Sequence, residues 1–306
     1  MSRFSDMKLW KYTFTFLLLV LTAMVIAFVQ EPDSNLHIIV CNVGQGDAIL
    51  TTYGATQILT DGGPGKSVLE CLGRHMPFWD REIELVISTH PDADHSTGLV
   101  SVLQNYKVGK ILINPIDPGT EVYRALVSEV GGRGIPVINP TAGMRLGLGL
   151  ISLDILSPSE GLLNRLTLKE EGSQLAKYDI SKETNLYSVV YLLSLNNRPN
   201  GGLGFQAIFP GDIPPEVSDG LAAGWSMGSV EYIKIPHHGS VNGLTENLLK
   251  VLMPKIAVIS VGKNPWGLPK TEILDMLAKY NVKVLRTDLE GDIIISTDGD
   301  KYWLGK

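Results

Sequence analysis

The chain has 306 residues, 44% of them hydrophobic and 19% charged, enough to bury a sizeable core in one large domain or two small ones. Its net charge of −6 excludes a broad basic surface of the kind that grips nucleic acid unaided. The only two cysteines lack the paired spacing of a thiolate metal site, and no repeat period or low-complexity run organises the sequence.

The first element is apolar. From Tyr12 to Val29 the chain runs 18 residues without a charge, about 27 Å as a helix and close to the hydrocarbon thickness of a bilayer. Arg3, Lys8 and Lys11 precede it, Glu31 and Asp33 follow it, and Trp10 and Tyr12 fit an interfacial belt. Residues 1–30 therefore read as a cytoplasmic stub and a single-pass membrane anchor, with residues 31–306 on the extracytoplasmic side. The competing reading is a cleaved signal peptide, for which Val25-Ile26-Ala27 offers only a weak cleavage site.

Short apolar runs then alternate with turns. Leu36–Cys41, Ala48–Thr52 and Gln57–Thr60 are predicted strands joined by tight turns at Gly44-Gln45-Gly46 and Tyr53-Gly54. Cys41 lies in the first of these and Cys71 in a predicted helix over Lys66–Arg74, so both read as small core residues; a disulfide between them is chemically open outside the cytoplasm. Further strands are expected at Leu85–Ser88, Lys110–Ile113, Ile151–Leu156, Tyr187–Leu195, Phe205–Phe209, Tyr232–Ile235, Ile256–Val261 and Asp292–Ser296. Helical patterns fall at Glu121–Val130, Glu246–Leu252 and Thr271–Lys279. The polar stretch from Ser159 to Lys182 reads as a long loop able to cover a site. Many strands with interspersed helices imply layered sheets with helices outside.

Three strand ends carry the chemistry. Thr89-His90-Pro91-Asp92-Ala93-Asp94-His95 places two imidazoles and two carboxylates within six positions, directly after an apolar strand. A strand end followed by a loop aims such groups from a rigid base. Imidazole with carboxylate suits Zn, Mn or Fe, and the lack of thiolate argues against a structural zinc site. The bland alternative is a polar turn with Asp94 or Ser96 capping a helix. Phe209-Pro210-Gly211-Asp212 ends another apolar strand with a lone carboxylate, and Pro236-His237-His238-Gly239-Ser240 ends a third with adjacent histidines. Alone, the Gly-Asp is a turn, and a lone histidine pair is more often surface or core filling than a ligand. The three loops together take four of the chain's six histidines, leaving only His37 and His75 elsewhere.

A histidine-x-acid-x-Asp-His motif after a strand resembles the signature of the metallo-β-lactamase superfamily. Val43-Gly44-Gln45-Gly46-Asp47, the Asp92 form of that motif, Pro236-His237-His238-Gly239-Ser240, Ala257–Gly262 and Arg286-Thr287-Asp288 together resemble the hydrolase domain of ComEC-type DNA-uptake proteins, over about Leu36 to Trp303. The resemblance implies an α+β fold, a four-layer αββα sandwich preceded by one transmembrane helix. It also implies one or two divalent ions, Zn or Mn with Mg as a further option. His90 and Asp92 would hold the first ion, Asp94 and His95 the second, with Asp212 bridging and either His237 or His238 completing the second site. With His237 as that ligand, Asp94 and His238 are the candidate catalytic groups. Asp61 matches an acid that braces the metal loop, or is simply a turn residue.

Two positions depart from the pattern. Asn185 and Ser188 stand where many relatives place a further histidine ligand, and Leu268 stands where ComEC-like relatives usually carry a histidine. The implied function is a metal-dependent hydrolase at the cell membrane, acting on a phosphodiester such as DNA and serving a separate DNA-uptake channel protein. The alternatives are hydrolysis of another small ester, amide or lactone, or an accessory module with a weakened site.

Overall fold

Period-two alternation of apolar side chains sends the strands into two sheets, and each sheet then needs a cover on both faces. The structure, a computed structural model, describes residues 2–29, 31–166, 178–179, 183–196 and 204–305. An eight-stranded mixed sheet runs in the order Tyr302–Leu304, Ile293–Thr297, Leu36–Val40, Ile49–Tyr53, Thr56–Thr60, Glu82–Ser88, Lys107–Ile113, Val137–Ile138. A seven-stranded mixed sheet runs Lys283–Arg286, Ile256–Ile259, Tyr232–Lys234, Gln206–Phe209, Val190–Leu195, Ile151–Ser157, Arg145–Leu148.

The sheets pack face to face. Ile38, Val40, Ile58 and Ile87 of the first meet Leu153, Tyr191, Phe209 and Val258 of the second in one buried core. Each fully buried side chain of this size contributes roughly 1.5–3 kcal/mol of transfer free energy. Tyr191 stacks on Phe209 with ring centroids 4.7 Å apart, and its hydroxyl bonds the Thr60 hydroxyl at 2.7 Å, tying the two sheets together one residue before Asp61. The outer faces are covered by helices. Ser67–His75, Ala93–Asn105 and Glu121–Gly132 bury Leu72, Leu99, Leu103 and Leu126 against the first sheet. Glu246–Leu252 and Thr271–Lys279 bury Leu248, Leu249, Ile273 and Leu277 against the second. The architecture is the αββα sandwich that the motifs imply.

Several boundaries differ from the sequence reading. The strand expected from Tyr187 starts at Val190, because residues Thr184–Tyr187 form a 3₁₀ turn whose Tyr187 ring packs on Ile116 and Leu163 instead. The helix Ala93–Asn105 begins inside the motif, and it, the strands Arg145–Leu148 and Lys283–Arg286 and the helix Pro215–Gly224 are absent from the sequence reading. The predicted long loop 159–182 begins with a short helix, Glu160–Leu163, and includes Tyr178–Asp179 paired in parallel with Ile116–Asp117. Its residues 167–177 and 180–182 lie outside the described residues.

The N-terminal helix spans Ser2–Val29, and its Leu9–Ala27 stretch is long and apolar enough to cross a membrane, with none of it buried against the rest of the chain. Over Leu9–Ala27 apolar residues surround its axis rather than marking one face.

Cys41 and Cys71 are fully buried, as expected of small core residues, and they are also joined in a disulfide. The bond ties the end of Leu36–Val40 to the helix Ser67–His75 across a sequence separation of 30. Closing a loop of that length in the unfolded chain contributes about 3–4 kcal/mol in the chain-entropy account. The double replacement Cys41→Ala/Cys71→Ala should therefore lower the thermal midpoint, and reductant should do the same to the wild type while leaving the double variant unchanged. A wild type indifferent to reductant would mean that no such bond forms.

Candidate metal centre

Parallel pairing brings the functional strand ends to one edge. Thr56–Thr60, Glu82–Ser88 and Lys107–Ile113 are mutually parallel, and so are Gln206–Phe209, Tyr232–Lys234, Ile256–Ile259 and Lys283–Arg286. Their C-terminal ends meet at one rim of the sandwich, delivering Asp61, His90–His95, Asp212, His238 and Ser260 to a common place.

The imidazoles are held in a definite orientation. Thr89 donates its hydroxyl to Asp61 Oδ2 at 2.6 Å and so accepts from His90 Nδ1 at 2.9 Å. His95 Nδ1 donates to Asp61 Oδ2 at 2.8 Å, and His238 Nδ1 donates to the Ser260 carbonyl at 2.8 Å. With each Nδ1 committed to the protein, each Nε2 is the ring atom turned to the cluster, a lone pair on neutral His90 and a displaceable proton on His95 and His238. His90 Nε2, His95 Nε2 and His238 Nε2 are buried without a hydrogen-bond partner. Around them stand carboxylates: Asp212 Oδ2 is 3.4 Å from both His95 Nε2 and His238 Nε2, and Asp94 Oδ2 is 3.3 Å from His238 Nε2. Buried polar atoms are normally satisfied, and a cation bound among them would remove the cost of leaving three imidazole nitrogens otherwise. The sets His90–His95–Asp212 and Asp94–His95–His238 each gather ligand atoms within 4.8 Å of one another. The donor set of nitrogen and oxygen fits a divalent transition ion.

The remaining sequence candidates divide. Asp92 stands at the edge, its Oδ2 3.8 Å from His90 Nε2 and its Oδ1 accepting from the Thr184 hydroxyl at 2.7 Å. It occupies the N-cap of Ala93–Asn105 yet makes no capping bond, and neither Asp94 nor Ser96 sits at the cap. His237 is not brought to the cluster. Its Nδ1 lies 3.3 Å from the Asn242 carbonyl and its ring lines the cavity outside, so the histidine at the centre is His238. Asp61, with φ +58, is fully engaged as a brace, accepting from the Thr89 amide as well as from the Thr89 hydroxyl and His95. Ser188 Oγ and Asn185 Oδ1 are buried without a partner beside the site strand, with no imidazole among the described residues in their place. Leu268 lines the cavity and contributes no titratable group.

Two functional groups had no role in the sequence reading. Lys234 is 1% exposed and ion-pairs with Asp47, its Nζ also 3.9 Å from Asp212 Oδ1. The signal was available: a lysine within the apolar run Tyr232-Ile233-Lys234-Ile235 is a cation on a core strand. Asp47 also lies 3.5 Å from His238 Nδ1. Tight packing fixes both loops. A Cβ at Gly46 would overlap the Asp94 carbonyl, and one at Gly98 would overlap that of Gly62. His237 and His238 are both left-handed, with φ of +52 and +53. Such residues cost of order 1–3 kcal/mol each and persist only where the surroundings impose them. Here the His237 amide donates to Asp212 Oδ1 at 3.1 Å and His238 is held by Ser260.

Electrostatics follow from burial and charge. Burial and the neighbouring His95 push His90 down to about 4, keeping it a neutral ligand. Burial also opposes charge on His238, but Asp212 and Asp47 outweigh it and raise its pKa to about 9; Asp212 and Asp61 hold His95 well above its ordinary value against the same burial penalty. Against its own desolvation, Asp212 is held well below the usual carboxylate range by His238 and His95.

A cavity of about 800 Å³ opens onto Asp94 and His238, walled by Gln45, Lys263, Trp266 and Leu268. Asn264 fixes the wall loop, accepting from the Trp266 and Leu268 amides at 3.1 and 2.9 Å.

Comparison with known proteins bears on this geometry. No family model matches the chain. Among solved structures it is similar to YhfI from Bacillus subtilis, a metallo-β-lactamase fold protein, with a TM-score of 0.51 and 10% identity over 88% of this chain and 100% of that one. It is similar also to CmlA, a diiron β-hydroxylase from Streptomyces venezuelae, with a TM-score of 0.52 and 13% identity over 87% of this chain and 54% of that one. The chain has the metallo-β-lactamase fold. Among curated proteins it is 24% identical over 294 residues to Recombination protein 2 of Haemophilus influenzae, covering 94% of this chain and 32% of that protein. It is 23% identical over 214 residues to ComE operon protein 3 of Bacillus subtilis, covering 70% of this chain and 24% of that protein. The chain thus spans a third or less of the length of the curated relatives it matches, which agree with the ComEC-type resemblance of its motifs.

A cation at this cluster must displace the protons of His95 and His238. The folded-state pKa of His238 is raised, so its protonation stabilises the cation-free chain below the ordinary value of 6.5, and that contribution is lost as pH rises through about 9. Added Mn should therefore raise the thermal midpoint, and the rise should grow between pH 6 and pH 8.5. Asp61→Asn, which loosens Thr89 and His95, should weaken Mn binding by roughly 10–100-fold in calorimetric titration. Equal metal stabilisation at both pH values would refute the proton competition.

Proposed function

We propose that the chain is a membrane-anchored, extracytoplasmic, metal-dependent phosphodiesterase acting on DNA in a ComEC-like role, organised as an anchor over residues 1–30 and a hydrolase domain over residues 31–306. The observation that carries this reading is the convergence of three orphaned imidazole Nε2 atoms with Asp94 and Asp212 at one rim of the fold. His90, Asp92 and Asp212 would hold one divalent ion, Zn or Mn, and Asp94, His95, Asp212 and His238 a second. A divalent ion bound there lowers the pKa of water toward neutrality and offsets charge on phosphoryl oxygens.

The chain's own groups do the rest. Among the described residues, Asp94 is the one carboxylate that reaches both the imidazole cluster and the open cavity, and on this reading it takes a proton from water and returns it to the leaving oxygen. Lys234 holds Asp47 and reaches toward Asp212, fixing the carboxylate that faces two imidazoles. Lys263 faces the cavity, a cation for a phosphate that the rest of an acidic surface would repel. The names of the two curated relatives, one a recombination protein and one from the ComE operon, suit a nucleic-acid substrate.

A second reading, an accessory module with a weakened site, is favoured by one observation: with Ser188 and Asn185 in place, His90 is, among the described residues, the only imidazole specific to the first ion position. Purified protein assayed with Mn, Zn and Mg on a single-stranded oligonucleotide and on bis(p-nitrophenyl) phosphate decides between them. The phosphodiesterase reading expects cleavage of both with at least one metal and its loss in Asp94→Ala, with the metal-dependent stability gain much reduced as well. An inactive wild type that still gains stability from metal supports the accessory reading.

The membrane topology is tested separately. The disulfide Cys41–Cys71 suits an oxidising compartment and the basic-then-acidic flanks of the apolar helix set its direction. An alkaline phosphatase reporter at the C-terminal end should be active outside the cytoplasm. A reporter that is active only when cytoplasmic would reverse the orientation.

A further inference from the structure

We propose that Phe78 and Trp79 seat in the headgroup layer of the bilayer beside the anchoring helix, a second contact that holds the domain with its metal-binding rim turned away from the membrane. The inference rests on the anchor reading above and is independent of the catalytic one.

The argument starts from chain length. The helix ends at Val29 and Glu31 is two residues on, so the chain can separate them by at most about 7 Å. The headgroup layer on each side of a bilayer is itself roughly 5–7 Å thick. Glu31 is therefore at or just above the membrane surface, however the domain is tilted. Glu31, Pro32 and Asp33 line one cavity of about 270 Å³ together with His37, Met76 and Pro77. The next two residues, Phe78 and Trp79, are thus displayed at the same end of the sandwich as the membrane exit.

They are displayed rigidly. The Asp80 amide donates to the Pro77 carbonyl at 2.9 Å, closing a tight turn around the two rings. Asp80 is pinned in turn, its Oδ2 accepting from Gln57 Nε2 at 2.9 Å and its Oδ1 from the Glu82 amide at 3.1 Å. The rings meet edge to face with centroids 4.9 Å apart, and they are 57% and 45% exposed. Two large aromatic side chains at the tip of a fixed turn leave apolar area in water unless something covers it, and tryptophan favours the membrane–water interface above other positions. Charges of both signs surround the turn, Arg74 and Arg81 against Glu31 and Asp33, so the rings rather than net charge would set the affinity.

Strand direction supplies the consequence. Leu36–Val40 leaves this end and its C-terminal side leads to Asp47, and Glu82–Ser88 leaves it and ends one residue before Thr89 and His90. Seven residues of strand span about 23 Å. The metal-binding rim is therefore the far end, and a turn seated in the headgroups points that rim away from the lipid.

The test uses the full chain reconstituted in phosphatidylcholine vesicles. Trp10 lies in the apolar helix, so Trp10→Phe removes its signal. Brominated phosphatidylcholine should quench the remaining fluorescence of Trp10→Phe, and most of that quenching should disappear in Trp10→Phe/Trp79→Phe, a conservative exchange that leaves the turn intact. No quenching in Trp10→Phe, or equal quenching in both variants, overturns the seating. Alkaline carbonate treatment of the same vesicles separates the two readings. Retention of the chain without Trp79-dependent quenching removes the seating alone, whereas release of the chain removes the anchor and the inference with it.

Discussion

The structure depends on a simple asymmetry in three imidazole rings. His90, His95 and His238 each spend Nδ1 on the protein, through Thr89, Asp61 and Ser260, and so turn Nε2 toward one another. Asp61 underlies two of the three, because it takes His95 directly and His90 through the Thr89 hydroxyl. Its left-handed backbone is what lets a residue at a strand end reach sideways to the neighbouring strand's loop. Aspartate tolerates that conformation better than most side chains. Once those Nδ1 atoms are committed, the site has one thing left to attract, a cation, and every carboxylate at the rim reinforces it.

The same rim explains a lysine in the core. Asp47, Asp61, Asp94 and Asp212 gather within one small volume, and burying like charges together is costly unless they are compensated. Lys234 compensates part of this permanently by pairing with Asp47. The two imidazoles whose pKa values rise supply more compensation when protonated. The fold therefore tolerates the cluster through a fixed cation and two exchangeable protons, and the exchangeable ones sit where a divalent ion would replace them. This division of labour accounts for the left-handed pair at His237 and His238. With that backbone the His238 ring turns to Asp212 within a few residues of the end of the strand Tyr232–Lys234.

Much of this was legible in the sequence, and the limits have physical reasons. The motif at residues 89–95, the lone Asp212 and the His237–His238 pair stand out because ligating side chains after apolar strands are rare by chance. The choice of His238 over His237 was not legible. Adjacent residues normally point to opposite sides, but two consecutive left-handed conformations abolish that rule, and no pattern in the one-letter code marks them. The helix Ala93–Asn105 was hidden because its first turn carries Asp94 and His95, which face the cluster, rather than a cap, and its Gly98, an unfavourable helix residue, is required where the helix touches Gly62. Cys41 and Cys71 were read correctly as buried, but their pairing depends on a helix docking across a sheet, which spacing alone does not encode.

Charge then connects the site to its surroundings. A chain of net charge −6 whose rim gathers carboxylates repels an anion, and the Debye length of about 8 Å at physiological salt confines that repulsion to the vicinity of the rim. Within the cavity the balance changes. Lys263 faces it, and Lys270 binds the Trp266 carbonyl at 2.6 Å and so stiffens the wall. An anion can therefore be favoured at the rim only when divalent charge there offsets Asp94 and Asp212, which makes cation loading a precondition for binding one. Affinity for cation and affinity for anionic substrate are linked quantities in such a site, each raising the other by the same factor. The carboxylate-rich rim is thus compatible with an anionic substrate because the coupling, rather than the bare protein surface, supplies the attraction.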